Sequence, residues 1–396
     1  MKIKVGVIFG GNSVEHEVSI ITAVQAMEFM DKEKYEVIPI YISKDRKWYT
    51  GINLFKMETY KNLNNIDEKA LSVSLVKKDD NFALVKLNGL FKSVVETIDI
   101  AFPIVHGKGV EDGTLVGYLE TLGIPFVGCD VLASSLGQDK VVQKQVLQSE
   151  NIPVADFIWF YENEYLSDSD KILADIKKLG YPVIVKPARL GSSIGITFIN
   201  SEKDIENAIN EANSYDEKIV VEKVIPNLLE VDCAVVGNHD NAETSLIGEM
   251  LTNNEFLTFE DKYLSGGGKK GSTKVAASSG FRIPAKLDKE VEERIYDLSL
   301  KAFRALNLKG VTRFDFLVNK KTKEVYVNEP NTIPGSLAFF FFTKKGLDYK
   351  DLLDRLITLG IKDYKNNSHK ITSFESNVLE TYNGSKGAKG KMGNKE

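Results

Sequence analysis

The stretch that most constrains the fold is 311–336, VTRFDFLVNKKTKEVYVNEPNTIPGS. It predicts two strands, 311–318 and 324–331, joined by the polar turn 319–323. Side chains two apart on a strand share a face. Arg313 and Asp315 therefore point one way, and Phe314 and Phe316 the other. Glu329 and Asn331 likewise share a face. If the strands pair in the usual register, Asp315 comes close to Glu329 and Asn331. Two carboxylates and an amide oxygen make a hard-oxygen cluster suited to Mg²⁺ that keeps phosphate ligands. Arg313 beside them suits an anion. Taken alone, the same residues also describe an amphipathic hairpin with a solvated charged face.

A chain of 396 residues has room for two or three domains. Its net charge of −5 gives no reason to expect nucleic-acid binding. The 2 cysteines, Cys129 and Cys233, are too few for a disulfide framework and fit a reducing, cytoplasmic setting. Each has apolar neighbours and reads as packed core. No apolar run is long enough to suggest a membrane span. The opening MKIKVGVIFGG reads as a first strand rather than a signal peptide.

Residues 3–9 form a continuous apolar run, expected as a buried parallel strand. The turn 10–13 and a helix beginning near 15–17 follow. Strand, glycine turn and helix predict an α/β, doubly wound first domain with ligands at the helix N-terminus. The dinucleotide fingerprint Gly-x-Gly-x-x-Gly is absent. Strands are expected at 35–42, 98–105 and 124–127, and a helix at 115–122. Residues 50–97 give no clear pattern. The glycine-rich loop 106–113 follows a buried strand, where open α/β sheets place function. A helix at 136–148 carries Lys140 near its start. The strand 181–187 leads into the small-residue loop 188–196, which can expose backbone N–H groups to phosphate beside Lys186. It is not a Walker A motif. Ser201 with Asp204 resembles a capping box. Strands at 219–224 and 231–236 carry Glu222, Lys223 and Glu230 at or near their ends. The basic, glycine-rich segment 261–274 reads as a surface loop, or as a loop able to close over phosphates. A helix near 291–305 precedes the hairpin, a last helix spans 348–359, and a tail follows. The expected division is 1–128, 129–218 and 219–366, with a flexible tail at 367–396.

Six motifs in order resemble those of D-alanine–D-alanine ligases, members of the ATP-grasp superfamily. They are Gly10-Gly11-x-Ser13-x-Glu15-His16-x-Val18-Ser19, His106-Gly107-x-x-x-Glu111-Asp112-Gly113, and Val185-Lys186-Pro187-x-x-x-Gly191-Ser192-Ser193-x-Gly195. Lys262-Tyr263, Arg313-x-Asp315 and Glu329-x-Asn331-Thr332-x-Pro334-Gly335 complete the set. The match runs from about residue 3 to 360. It implies a three-part ATP-grasp ligase: a Rossmann-like N-terminal domain, a central α+β lid and a C-terminal α+β domain. The implied reaction uses ATP to phosphorylate the carboxylate of one D-alanine. The amine of a second D-alanine then attacks the acyl phosphate and expels phosphate, supplying D-alanyl-D-alanine for peptidoglycan. No protein nucleophile is required, and none stands out.

The resemblance implies a role for each matching position. Asp315, Glu329 and Asn331 would hold two Mg²⁺ or Mn²⁺ ions against the ATP phosphates. Lys140 and Lys186 would bind phosphates or nucleotide, with Ser193 in the adjoining loop. Glu222 would accept from the adenine amino group, Lys223 to Ile225 would line the base, and Glu230 would bind the ribose. Glu15 would anchor the ammonium of the first D-alanine, in a network with Ser192 and Tyr263. Lys262 would reach the transferring phosphate. Arg313 and the Gly335 N–H would stabilise the oxyanion, and His106 would lie near the second substrate. A homodimer is a further implication.

The chain departs from the family where the second substrate binds. Five residues after the glycine the family carries a serine for that substrate's carboxylate, and here the position holds Phe340. The segment reads Ser336-Leu337-Ala338-Phe339-Phe340-Phe341-Phe342, and Ser336 is the candidate replacement. A lost charge-assisted hydrogen bond would cost about 1.5–3 kcal/mol unless another donor replaces it. Tyr263 after Lys262 favours an amine acceptor over D-lactate. A related ligase with a different acceptor, such as D-serine, D-lactate or another amino acid, is the alternative.

Overall fold

A computed structural model describes residues 2–79, 81–87, 93–251, 280–373 and 376–377. Lys262 and Tyr263 lie outside these residues. Three sheets follow one another along the chain.

The first sheet grows from strand Ile3–Gly10, whose Val5, Val7, Ile8 and Phe9 are fully buried. It pairs in parallel with Tyr35–Ile42 on one side and Ile100–Val105 on the other. Helix His16–Phe29 returns over one face. Beyond Tyr35–Ile42 the sheet continues as antiparallel strands Trp48–Thr50, Leu71–Lys78, Asn81–Lys86 and Val94–Ile98. This extension occupies the stretch that gave no clear pattern. The expected strand 98–105 is split at Asp99, whose carboxylate accepts the Lys4 N–H at 2.7 Å. The expected strand 124–127 contributes only a bridge between Phe126 and Ala101.

The expected helix 136–148 is two helices, Val131–Gln138 and Lys140–Ser149. Asp139 breaks it because its side chain accepts the N–H groups of Val141 and Val142, capping a new helix whose first residue is Lys140. Ser201 does not cap by its side chain; a short 3-10 turn, Glu202–Asp204, leads into helix Ile205–Asn213.

The second sheet is antiparallel and contains Phe157–Tyr161, Val183–Pro187, Thr197–Ile199 and Lys218–Lys223. Strand Lys218–Lys223 thus hydrogen-bonds on the central side of the expected division at 218. Ala133, Leu147, Ile152 and Val154, from the segment just after 128, pack in the core of the third sheet instead.

The third sheet runs Phe281–Arg282, Ala242–Met250, Leu228–Gly237, Gly310–Asn319 and Val325–Asn331, all antiparallel. One face packs against Val291, Ile295, Leu298 and Ala302 of helix Lys289–Ala305. The other face joins a core shared with the first sheet's helix, containing Ala234, Val236, Leu337, Phe341, Phe342 and Leu353. The phenylalanine run is therefore interior. Phe341 is fully buried and stacks edge-on against Phe281 at 5.2 Å. It passes so close to Gly248 that a Cβ there would lie 2.3 Å from the ring. Cys129 and Cys233 are both buried, and burial pushes each thiol up to about 12.

Truncating Phe341 to Ala removes a ring from a site with no room to collapse. Urea unfolding should show a loss of about 3–5 kcal/mol. A loss under 1 kcal/mol would mean that this ring does not anchor the segment.

Candidate active site

The hairpin pairs Arg313 with Asn331 and Asp315 with Glu329. The register then shifts, and Phe316 pairs with Val327, leaving Asn328 as an extra, bulged residue. Asn331 Nδ2 donates to Asp315 Oδ1 at 3.1 Å. Arg313 donates to both Asp315 oxygens, from Nε at 2.8 Å and from Nη2 at 3.0 Å. On the neighbouring strand Asp232 lies opposite Asp315. It is 2 % exposed, and its Oδ2 sits 3.2 Å from Arg313 Nε. The guanidinium is thus clamped between two carboxylates on adjacent strands. Asp232 was missed in the sequence because the pairing that brings it here spans some eighty residues. A lone acid in an apolar strand was its only signal.

Lys140 and Lys186 meet this hairpin from the other side. Lys140 Nζ is 3.0 Å from Glu329 Oε2 and donates to the Leu190 carbonyl of the glycine loop at 2.8 Å. Lys186 donates to Glu222 Oε2 at 2.9 Å. The other Glu222 oxygen lies 3.3 Å from Lys144, a lysine with no exposure at all. Lys144 also donates to the carbonyl of the bulged Asn328 at 3.2 Å. Burial lowers the Lys144 pKa despite Glu222, whereas for Lys186 the charges of Glu222 and Glu329 outweigh burial and raise it. Glu222 is buried too, yet the two lysines hold it below the usual carboxylate range. The Glu222 carboxylate is the counter-charge to two buried ammonium groups. Lys223 is exposed, Ile225 is half-buried, and the charge of Glu230 is felt at Lys186. Lys144 is one helical turn beyond Lys140, a spacing that could have flagged it.

Across the cleft, Glu15 precedes helix His16–Phe29 and accepts the Ser192 hydroxyl. Two glycines wall it in: a Cβ at Gly107 or Gly191 would lie 2.8 or 2.7 Å from Glu15 Oε2. Ser192 and Ser193 both have positive φ, 55° and 60°, the conformation that curls the loop around this carboxylate. Fully buried His16 fixes the Gly10-Gly11 turn, its Nδ1 2.6 Å from the Gly11 carbonyl and its Nε2 3.0 Å from the Tyr41 hydroxyl.

Glu111 ties the two halves together. It accepts the Gly107 N–H at 2.9 Å, the Thr332 hydroxyl at 2.9 Å and the Ile333 N–H at 3.0 Å. Burial, then the charge of Glu15, push its pKa up to about 7. His106 is 4 % exposed; burial lowers it to about 4, so the ring is neutral at pH 7. Its Nε2 lies 3.3 Å from Thr22 Oγ1, and that oxygen accepts the Ser336 N–H at 3.2 Å. His106 thus supports the segment after Gly335 from behind.

As donors for a divalent ion, Asp315, Glu329 and Asn331 are hard oxygens. Among the described residues no group of three or more His, Cys, Asp or Glu could hold a metal by itself. The set fits an ion that takes its remaining ligands from phosphate.

The half-buried Glu111 and the buried His106 act oppositely on stability. Glu111 is raised from 4.5 to about 7, so its contribution is present below pH 4.5 and lost as pH rises through 7. His106 is lowered from 6.5 to about 4, so its contribution is present above pH 6.5 and lost as pH falls through 4. Glu111→Gln removes only the first. Thermal melts from pH 4.5 to 7.5 should show the variant gaining on the wild type as pH rises. A difference that does not change with pH would contradict the assignment.

Family models for the D-ala D-ala ligase N-terminus and C-terminus match residues 4–129 and 146–358. A D-alanine–D-alanine ligase from Thermosipho melanesiensis is 40% identical over 380 residues, covering 96% of this chain and 98% of its own. One from Caldicellulosiruptor bescii is 41% identical over 372 residues, covering 91% and 96%. Among solved structures, the D-alanine-D-alanine ligase from Coxiella burnetii superposes with a TM-score of 0.77 at 28% identity, covering 93% of this chain and 96% of that one. The VanG D-Ala:D-Ser ligase from Enterococcus faecalis superposes with a TM-score of 0.75 at 30% identity, covering 91% and 100%. With both halves of the family model matched and the relatives aligned nearly end to end, this chain belongs to the D-alanine–D-alanine ligase family.

Proposed function

We propose that this chain is an ATP-dependent, ADP-forming ligase that joins two D-alanines through a D-alanyl phosphate. The observation that carries the reading is that Lys140 contacts Glu329 of the Arg313–Asp315–Asn331 hairpin and also the Leu190 carbonyl of the loop whose Ser192 donates to Glu15.

Glu15, oriented by Ser192, receives the ammonium of the first D-alanine and leaves its carboxylate towards the cations. Lys140 and Lys186 bind the phosphates beside the loop carrying Ser193. Lys223 to Ile225 line the base, Glu230 takes the ribose, and Glu222 holds Lys186 and Lys144 in place. Asp315, Glu329 and Asn331 would hold two Mg²⁺ or Mn²⁺ ions, which would neutralise the charge of the ATP phosphates. Arg313 and the Gly335 N–H face the oxyanion that forms when the second amine attacks. Ser336 takes the acceptor carboxylate. The family resemblance assigns Lys262 to the transferring phosphate and Tyr263 to the Glu15 and Ser192 network. Positioning and charge neutralisation supply the rate, and no protein nucleophile takes part.

The three sheets support three units, close to 1–128, 129–218 and 219–366, with the tail 367–396. No described helix is long and apolar enough to cross a membrane. A cytoplasmic homodimer working in peptidoglycan synthesis completes the reading.

A second reading assigns a different acceptor, because Phe340 replaces the family's serine and packs with Phe281, Phe339 and Phe341. Purified protein assayed for ADP release, with product masses across D-alanine, D-serine, D-lactate and other amino acids, separates the two. D-alanyl-D-alanine is the expected main product. Another product selects the second reading, and no ADP release with any acceptor removes both. Asp315→Ala and Glu329→Ala should each lower kcat by at least about 10²–10³-fold. The far-UV spectrum should not change, since Arg313 keeps Asp232 as a partner. Normal turnover in either variant would overturn the metal assignment.

A further inference from the structure

Helix His16–Phe29 begins at Glu15 and carries Thr22 two turns further on, on the same face. Thr22 is 1 % exposed, and its side chain is devoted to the acceptor side of the cleft. Its hydroxyl oxygen receives the Ser336 N–H at 3.2 Å and lies 3.3 Å from His106 Nε2. The segment it touches is under strain. Ser336, Leu337 and Ala338 have φ of 52°, 50° and 52°, three consecutive non-glycine residues in the left-handed region. Such residues persist only where their surroundings over-determine them. Below the turn, Phe341 and Phe342 fix it to the core. Above it, Thr22 supplies a polar tether to the turn's first residue. The Thr22 oxygen accepts the Ser336 N–H, and in the tautomer that carries its proton on Nδ1 the His106 ring accepts the Thr22 hydroxyl hydrogen at Nε2, so one side chain serves both groups.

We propose that Thr22 is a positioning residue for the acceptor. Its hydroxyl pins the turn that follows Gly335 to the same helix that begins at Glu15. One rigid helix then sets the separation of the two substrate sites, about 10 Å along its axis. His106 serves as the fixed, neutral support for that hydroxyl. The inference rests on the reading of Gly335 and Ser336 as the acceptor side.

The test compares Thr22→Val, which keeps the shape and loses the hydroxyl, with Thr22→Ser, which keeps the hydroxyl. Two assays are run on each. Dipeptide formation reports the KM of the second D-alanine. Hydroxylamine trapping of the acyl phosphate, run at D-alanine concentrations well below the second KM, reports the first half-reaction. Thr22→Val should raise the second KM about tenfold, the scale of one hydrogen bond, with hydroxamate formation within twofold of wild type. Thr22→Ser should restore the second KM. Equal losses in both assays, no change in either, or failure of serine to rescue would overturn the proposal. If Thr22→Val does not fold, Thr22→Ala makes the same comparison against serine. Ser336→Ala separates the two levels of the argument. If it leaves the second KM unchanged, the acceptor reading itself fails. If it raises that KM while Thr22→Val does not, only the role of Thr22 fails.

Discussion

A guanidinium held between carboxylates on two neighbouring strands organises this protein. Arg313 cannot bind Asp315 and Asp232 together unless Leu228–Gly237 and Gly310–Asn319 are paired in one register. In the next pairing, Asp315 lies opposite Glu329. A slip by one residue would turn Arg313 and Asp315 into the apolar core and send Phe314 and Phe316 outward. The apolar packing under helix Lys289–Ala305 and the charge pairing above it therefore select the same alignment. Neither could be satisfied alone.

Around this centre the buried charges are matched. Lys140 faces Glu329, Lys186 and Lys144 share Glu222, and Arg313 spans two acids. Withdrawing such groups from water costs several kcal/mol for each ion, and pairing offsets it. The arrangement keeps cations and hard oxygens at high density beside the glycine loop.

Much of this was legible in the sequence, and what was not shares a cause. The hairpin could be read because strand alternation is local and Arg313, Asp315, Glu329 and Asn331 sit at spacing two. Glu15, Lys186 and the glycine loops could be read because each motif is a few residues long. Asp232 and Thr22 could not, and Lys144 was marked only by its spacing from Lys140. Their partners, Arg313, Glu222 and Ser336, lie far along the chain, and each looks ordinary within its own strand or helix. The antiparallel extension of the first sheet escaped because its strands are short and half-solvated. The pairing of Glu222 with Lys144 and Lys186 was not legible, because the burial of those lysines is a property of the fold.

The bulge at Asn328 gives the hairpin a change of parity. Val325 and Val327 face the core with Phe316 and Val318, while Glu329 and Asn331, also odd-numbered, face the cleft with Asp315 and Arg313. An uninterrupted strand would send all four to one side. One unmatched residue, tethered through its carbonyl by Lys144, thus lets a single strand serve as hydrophobic wall for half its length and as ligand shelf for the rest. Deleting that residue would restore plain alternation with the same facing, and would remove the carbonyl that Lys144 holds.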